Sequence, residues 1–152
     1  MNKIYQWIND PFLITTDEKS IDYTAVHEYL NRSLWANGID LETVKESIEN
    51  SLCFSILLQG KQIGFARVVT DKVTFGYLCD VYILEPWQNQ GLGRWLIKCI
   101  LSHPLILKLR RVMLVTSSAP LFYEKAGFSP INRENFVWQI NNPNIYQIKD
   151  KT

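Results

Sequence analysis

The stretch Asp80-Val-Tyr-Ile-Leu-Glu-Pro-Trp-Gln-Asn-Gln-Gly-Leu-Gly-Arg-Trp-Leu-Ile-Lys-Cys-Ile100 changes character twice. An apolar, β-branched run ending at Leu84 reads as a strand. The polar segment Glu85–Gln90 and the glycines Gly91 and Gly93 read as a turn. From there Leu92, Trp95, Leu96, Cys99, Ile100 and His103 fall on one helical face, and the helix is expected to end at His103-Pro104, because a residue before proline disfavours the helical region. A helix that starts straight after a strand presents backbone amides with no intrahelical partner, at the positive end of its dipole. Glycines there let an anionic group approach those amides, so the junction reads as a phosphate cradle. The same pattern also serves as a plain strand-to-helix turn.

Upstream, Leu52–Leu58 and Gln62–Thr70 are strand-like runs separated by Gln59-Gly60-Lys61, and Asp71-Lys72 marks a further turn before Val73–Leu84. Three such runs with short turns predict an antiparallel meander. Two helices precede it. One follows a Ser20 cap with Ile21, Ala25, Tyr29 and Leu30 on its apolar face, and Asn37-Gly38 breaks it; the other carries Leu41, Val44 and Ile48. Downstream, the wholly apolar Val112–Val115 predicts a strand buried on both faces, parallel to the one before the glycines. A short helix with Ser118 as cap, Pro120 in its first turn and Gly127 as its stop comes next. Alternating Phe136, Trp138 and Ile140 predict a closing strand. The expected fold is a mixed α/β sheet, antiparallel early and parallel once, with helices on both faces.

The chain of 152 residues carries a formal net charge of +1 and is 47% hydrophobic, which suits one domain spanning 1–152 with a real core. There is no polybasic tail to steer it toward nucleic acid. The opening residues, interrupted by Asn9, Asp10 and Pro11, lack a signal peptide's apolar block, and no apolar run approaches membrane-spanning length. Cys53, Cys79 and Cys99 are odd in number and widely spaced, as expected of free thiols in a reduced cytoplasm. With only His27 and His103, no metal site is expected.

Two nucleotide motifs do not fit. The Walker pattern needs Gly-Lys-Ser/Thr, but Arg94 and Trp95 follow Gly93; the dinucleotide fingerprint needs a small residue where Leu96 stands. The run Gln88-Asn-Gln-Gly-Leu-Gly93 instead resembles the Arg/Gln-x-x-Gly-x-Gly/Ala signature of the GCN5-related N-acetyltransferase (GNAT) superfamily. Leu121-Phe-Tyr-Glu-Lys-Ala-Gly-Phe128 is similar to that family's Leu-Tyr-x-Lys-x-Gly-Phe element. Both motifs stand in order at the right separation, and the resemblance covers at least Leu52 to Phe128.

The resemblance implies the acyl-CoA N-acyltransferase fold and acetyl-CoA as donor. Its pyrophosphate would rest on the amides of Gln88, Asn89, Gln90, Gly91, Leu92, Gly93 and Arg94. Its pantetheine arm would run along backbone near Val81, Tyr82 and Ile83. The thioester would emerge where the strands ending near Leu84 and Thr116 part. Relatives often carry arginine at position 88 and a proline near position 85; here Gln88 and Glu85-Pro86 stand there, which leaves Arg94 and the amides to hold the phosphates.

The implied reaction is direct attack of an amine on the acetyl carbonyl. An alkylamine is neutral in about one molecule in two thousand at pH 7, and the departing thiolate needs a proton. Tyr123 matches the family's general-acid tyrosine. Asp80 is the candidate base, although a carboxylate within an apolar run equally suits a structural bond to a turn or an arginine. Glu85, beside the phosphates, is expected to face solvent. A ping-pong route through Cys79 is an alternative without a pKa-lowering neighbour in sequence. Tyr23, Trp35, Phe65 and Trp138 are candidates to line an acceptor pocket. The expected acceptor is a small-molecule amine; a protein lysine or N-terminus, or a non-catalytic acyl-CoA-binding module, are the rival readings. The resemblance also allows a homodimer.

Overall fold

In the computed structural model, residues 3–147 are described. Six strands form one sheet whose spatial order follows chain order: β1 (Gln6–Asn9), β2 (Phe12–Thr15), β3 (Leu52–Leu58), β4 (Lys61–Thr70), β5 (Phe75–Ile83) and β6 (Arg111–Met113). The first five pair antiparallel; β5 and β6 pair parallel, Phe75 to Tyr77 against Arg111 to Met113. The mixed sheet and the β3–β5 meander are as expected. The β1–β2 hairpin is an addition to the expectation. Its turn is the Asn9-Asp10-Pro11 stretch, which looks in sequence like a plain interruption.

Helices cover both faces. On one, α1 (Tyr23–Asn31) and α2 (Leu41–Glu49) bury Val26, Leu30, Val44 and Ile48 against Cys53, Phe65 and Tyr82. On the other, α3 (Leu92–Ser102) buries Leu92, Leu96, Ile97, Cys99 and Ile100 against Phe54, Ile56, Ile63, Ala66, Val68 and Leu78. The spacing of those apolar positions is what sets α3 flat on the sheet. A short α4 (Pro104–Leu107) follows, with His103 between the helices as the Nδ1 acceptor for the Leu105 amide at 3.0 Å. The α1 cap is Asp22 rather than Ser20: its carboxylate accepts from Ala25 N–H.

Three expectations are corrected at the C-terminal side. The apolar run Val112–Val115 does not give a strand buried on both faces: β6 stops at Met113, its residues are exposed or half-buried, and Val115 is 81% exposed. The reason is position, since β6 is the last strand of the sheet and has a neighbour on one side only. Phe136, Trp138 and Ile140 form no strand, and Trp138 and Ile140 stand 82% and 96% exposed. Alternation alone cannot supply a partner edge. The short helix after β6, α5 (Pro120–Lys125), begins at Ala119 with no side-chain cap; instead of Ser118, Thr116 Oγ1 receives the Ala119 N–H at 3.1 Å.

Candidate active site

β4 accompanies β5 to Ile83, whereas β6 accompanies it only to Tyr77, so the far half of β5 has an open edge. Near its end the pairing shifts register: Arg67 faces Cys79, but Phe65 faces Tyr82. Asp80 sits in this bulge at φ +53°, the left-handed place that glycine most often takes. The extra residue flips the faces of the strand. Leu78 belongs to the α3-side core and Tyr82 to the α1/α2-side core, while Val81 and Ile83 pack on the α3 side.

Beyond the strand, Leu84 N–H donates to Ile63 carbonyl at 2.8 Å, so the Ile83 carbonyl turns to the open edge. There it accepts from Gln88 Nε2 at 2.8 Å. The Gln88 backbone N–H is occupied too, by the Glu85 carbonyl at 3.2 Å. Gln88 therefore braces the loop and offers no free amide, unlike its expected role. Three residues on, the arrangement opens. The first α3 bond is Trp95 N–H to Gly91 carbonyl, and the amides of Leu92, Gly93 and Arg94 have no acceptor among the described residues. Gly91, at φ +83°, has nothing within 4 Å of where a side-chain carbon would stand. No acidic residue stands in the first turn, and Arg94 is exposed without an ion pair among the described residues. Glu85, the nearest acid before the loop, is held by Arg32 at 2.9 Å, which draws its pKa below the ordinary carboxylate value. Free amides, a helix dipole and a free cation suit a phosphate-bearing ligand.

The absent side chain of Gly93 has a second use. A carbon there would lie 3.4 Å from Phe122 Cζ, so α5 seats its Phe122 directly on the start of α3. The next residue of α5 is Tyr123. Its ring meets Phe122 and Phe128 edge-on at 5.0 and 5.9 Å, and burial pushes its pKa above the ordinary 10.0. It is thus protonated at neutral pH, and its hydroxyl has no hydrogen-bond partner among the described residues. Tyr123 also lines a cavity of about 900 Å³ between β6 and the chain after α5, together with Thr116, Val112 and Phe128.

Asp80 is already engaged. Its Oδ2 accepts from Arg67 Nε at 2.9 Å and its Oδ1 from the Trp35 indole at 3.2 Å, while Arg67 Nη1 reaches Ser51 Oγ at 3.0 Å. Burial pushes the neighbouring Cys79 thiol up to about 12, which leaves it protonated and a poor nucleophile. Of the acceptor-pocket candidates, Phe65 is fully buried in the core, Tyr23 is half-buried, and Trp35 and Trp138 are exposed, Trp35 donating to Asp80 and Trp138 to the Asn135 carbonyl. Among the described residues, no His, Cys, Asp and Glu group could hold a metal, and no helix is long and apolar enough to cross a membrane.

The sequence profile of the acetyltransferase (GNAT) domain matches residues 49–130. A Gibberella zeae protein provisionally described as an acetyltransferase is 31% identical over 139 residues, 77% of this chain and 78% of its own. The crystal structure of a Xanthomonas campestris pv. campestris protein, provisionally described as a GNAT-family acetyltransferase, is 32% identical. It superposes with a TM-score of 0.85 over 97% of this chain and 99% of its own. A Mycobacterium tuberculosis protein solved in complex with CoA shares the fold, with a TM-score of 0.63 at 21% identity over 78% of this chain and 72% of its own.

Proposed function

The chain belongs to the GNAT acetyltransferase family, and from that membership we propose that it moves the acetyl group of acetyl-CoA onto the primary amine of a small molecule. We take the whole chain as one acetyltransferase domain. The observation that carries the donor assignment is the set of three amides, Leu92 to Arg94, that lack an acceptor among the described residues and open α3 beside an uncovered strand edge. In this reading those amides and Arg94 hold the diphosphate, with Asn89, Gln90 and Gly91 shaping the loop. Backbone at Val81, Tyr82 and Ile83 guides the pantetheine arm. Gln88 holds the Ile83 carbonyl and so fixes the width of the opening. A CoA complex within the shared fold supports the same assignment.

The donor supplies an activated acetyl carbonyl. Tyr123, protonated because burial raises its pKa, gives its proton to the sulfur as the carbon–sulfur bond breaks and the new carbon–nitrogen bond forms. Asp80 takes the amine's proton through Oδ1, the oxygen held only by the 3.2 Å indole bond, while Arg67 keeps the other fixed.

A thiol-release screen with acetyl-CoA and a panel of amines tests the reading. Turnover with one or more amines is expected, together with a rise in Tm on adding CoA. In Tyr123→Phe, kcat should fall about 100-fold or more with the KM for acetyl-CoA held. A Tm rise without thiol release from any amine would leave only a CoA-binding module, and no Tm rise would remove the donor assignment.

A further inference from the structure

Asp80 directly precedes the β5 backbone assigned to the donor arm, yet its side chain is only 8% exposed, so an amine reaches Oδ1 only when a neighbour moves. Arg67 is not that neighbour. It holds Oδ2 at 2.9 Å and Ser51 Oγ at 3.0 Å from the middle of the sheet. The other neighbour is Trp35, whose indole N–H occupies Oδ1 at 3.2 Å while the residue itself stands 56% exposed.

The chain around Trp35 is a two-residue tongue between anchors. Ser33 and Ala36 are buried; Ser33 Oγ donates to the Leu30 carbonyl at 2.6 Å and accepts the Ala36 N–H at 3.1 Å. Just beyond, Asn31 Oδ1 accepts the Gly38 N–H at 3.0 Å. Between these points Leu34 and Trp35 are exposed and make no backbone hydrogen bond among the described residues. The indole leans on Tyr29, ring centres 6.4 Å apart, and Tyr29 lies flat on buried Tyr82 at 3.9 Å. The surface beneath the tongue is thus held by its own stack. Turning Trp35 outward about its side-chain bonds breaks one hydrogen bond and no anchor.

We propose that Trp35 guards Asp80: its indole N–H holds the place of the acceptor nitrogen on Oδ1, and an amine gains the carboxylate by displacing it. An ammonium group replaces the indole readily, because both partners of the new hydrogen bond carry charge; water brings no charge and leaves the guard in place. The use of Asp80 as base rests on the acetyl-transfer reading; the cover over it does not.

Two variants test the cover and the displacement separately, and since Trp35 is exposed both should fold. Carbodiimide-driven coupling of glycinamide to Asp80, located by peptide mass spectrometry, reads the cover. It should rise about tenfold or more in Trp35→Ala over the wild type, with coupling at exposed Glu28 and Glu124 unchanged. Equal labelling of Asp80 in both proteins overturns the proposal. Trp35→Phe keeps a ring and loses the N–H, so it reads the displacement. With phenethylamine or ethanolamine as acceptor, its amine KM in thiol release should fall about threefold or more, with kcat and the acetyl-CoA KM held. An unchanged amine KM shows that the indole is not in the amine's way, and a lower kcat shows that it orients the carboxylate instead; either result sinks the guard. If neither amine releases thiol from any form while CoA still raises Tm, the transfer reading fails alone, and the labelling of Asp80 decides the cover.

Discussion

Gly91 and Gly93 stand two residues apart and differ in what a side chain would meet. Gly91 is at φ +83° in open space, so a side chain there meets backbone strain and no clash. Gly91→Ala should therefore cost about 1 kcal/mol and lower Tm by about 2–4 °C. Gly93 lies within α3 at ordinary helical angles, and a carbon there makes only ordinary contact with Phe122 and Ile83. Gly93→Ala should leave Tm unchanged or higher, because alanine favours the helix by about 1 kcal/mol. Equal losses in both variants on thermal unfolding would mean that conformation is not what separates them. At this scale the sequence is informative where glycine spacing marks a backbone need. It is silent on Gln88, whose double use as loop brace depends on which way its side chain turns after the short helical turn at Glu85–Trp87. It is equally silent on Asp80, since nothing in its neighbours announces a left-handed conformation.

Among the elements, the end of β5 depends on a side-chain pair. Asp80 and Arg67 are 8% and 17% exposed and bond at 2.9 Å, joining the bulge to the middle of β4. Removing one partner strands the other's charge, so Arg67→Met should lower stability by about 3 kcal/mol in urea unfolding. Adding Asp80→Gly should restore about 1 kcal/mol or more, because glycine removes the orphaned carboxylate and accepts the positive φ. Strict additivity of the two losses would show that the pair does not secure the bulge. β3, β4 and β5 were legible because their apolar runs are long and their turns are marked by Gln59-Gly60 and Asp71-Lys72. The β1–β2 hairpin was not, since its four-residue strands are mostly exposed or half-buried and give little periodicity. The closing alternation at Phe136, Trp138 and Ile140 misled in the other direction: a period of two describes a face, and here no layer covers it.

For the molecule as a whole, His103 joins parts distant in sequence. Its ring lies 4.6 Å from Tyr5, 6.3 Å from Trp7 and 5.7 Å from Phe54, tying the α3–α4 corner to β1 and β3. Burial lowers its pKa below the ordinary 6.5, so the folded protein refuses a proton that the unfolded chain accepts. Stability is therefore full above pH 6.5 and declines as pH falls below it. Glu85 and Asp71, whose pKa values are drawn down by hydrogen bonds, act at lower pH. Tm should drop between pH 7 and 5.5, and His103→Asn, which keeps an acceptor for the Leu105 amide, should flatten that drop even if its Tm is lower throughout. An unchanged slope in the variant would assign the pH dependence to other groups. The order of the strands carries one more consequence. Two unions in the sheet wait on long excursions of the chain: β2 meets β3 only after α1 and α2, and β5 meets β6 only after α3 and α4. Loop-closure entropy makes both unions late beside the β3–β5 meander. The open edge of β5 beside β6 is thus among the later parts to form, so CoA, if it binds there as proposed, should slow unfolding while leaving the refolding rate unchanged.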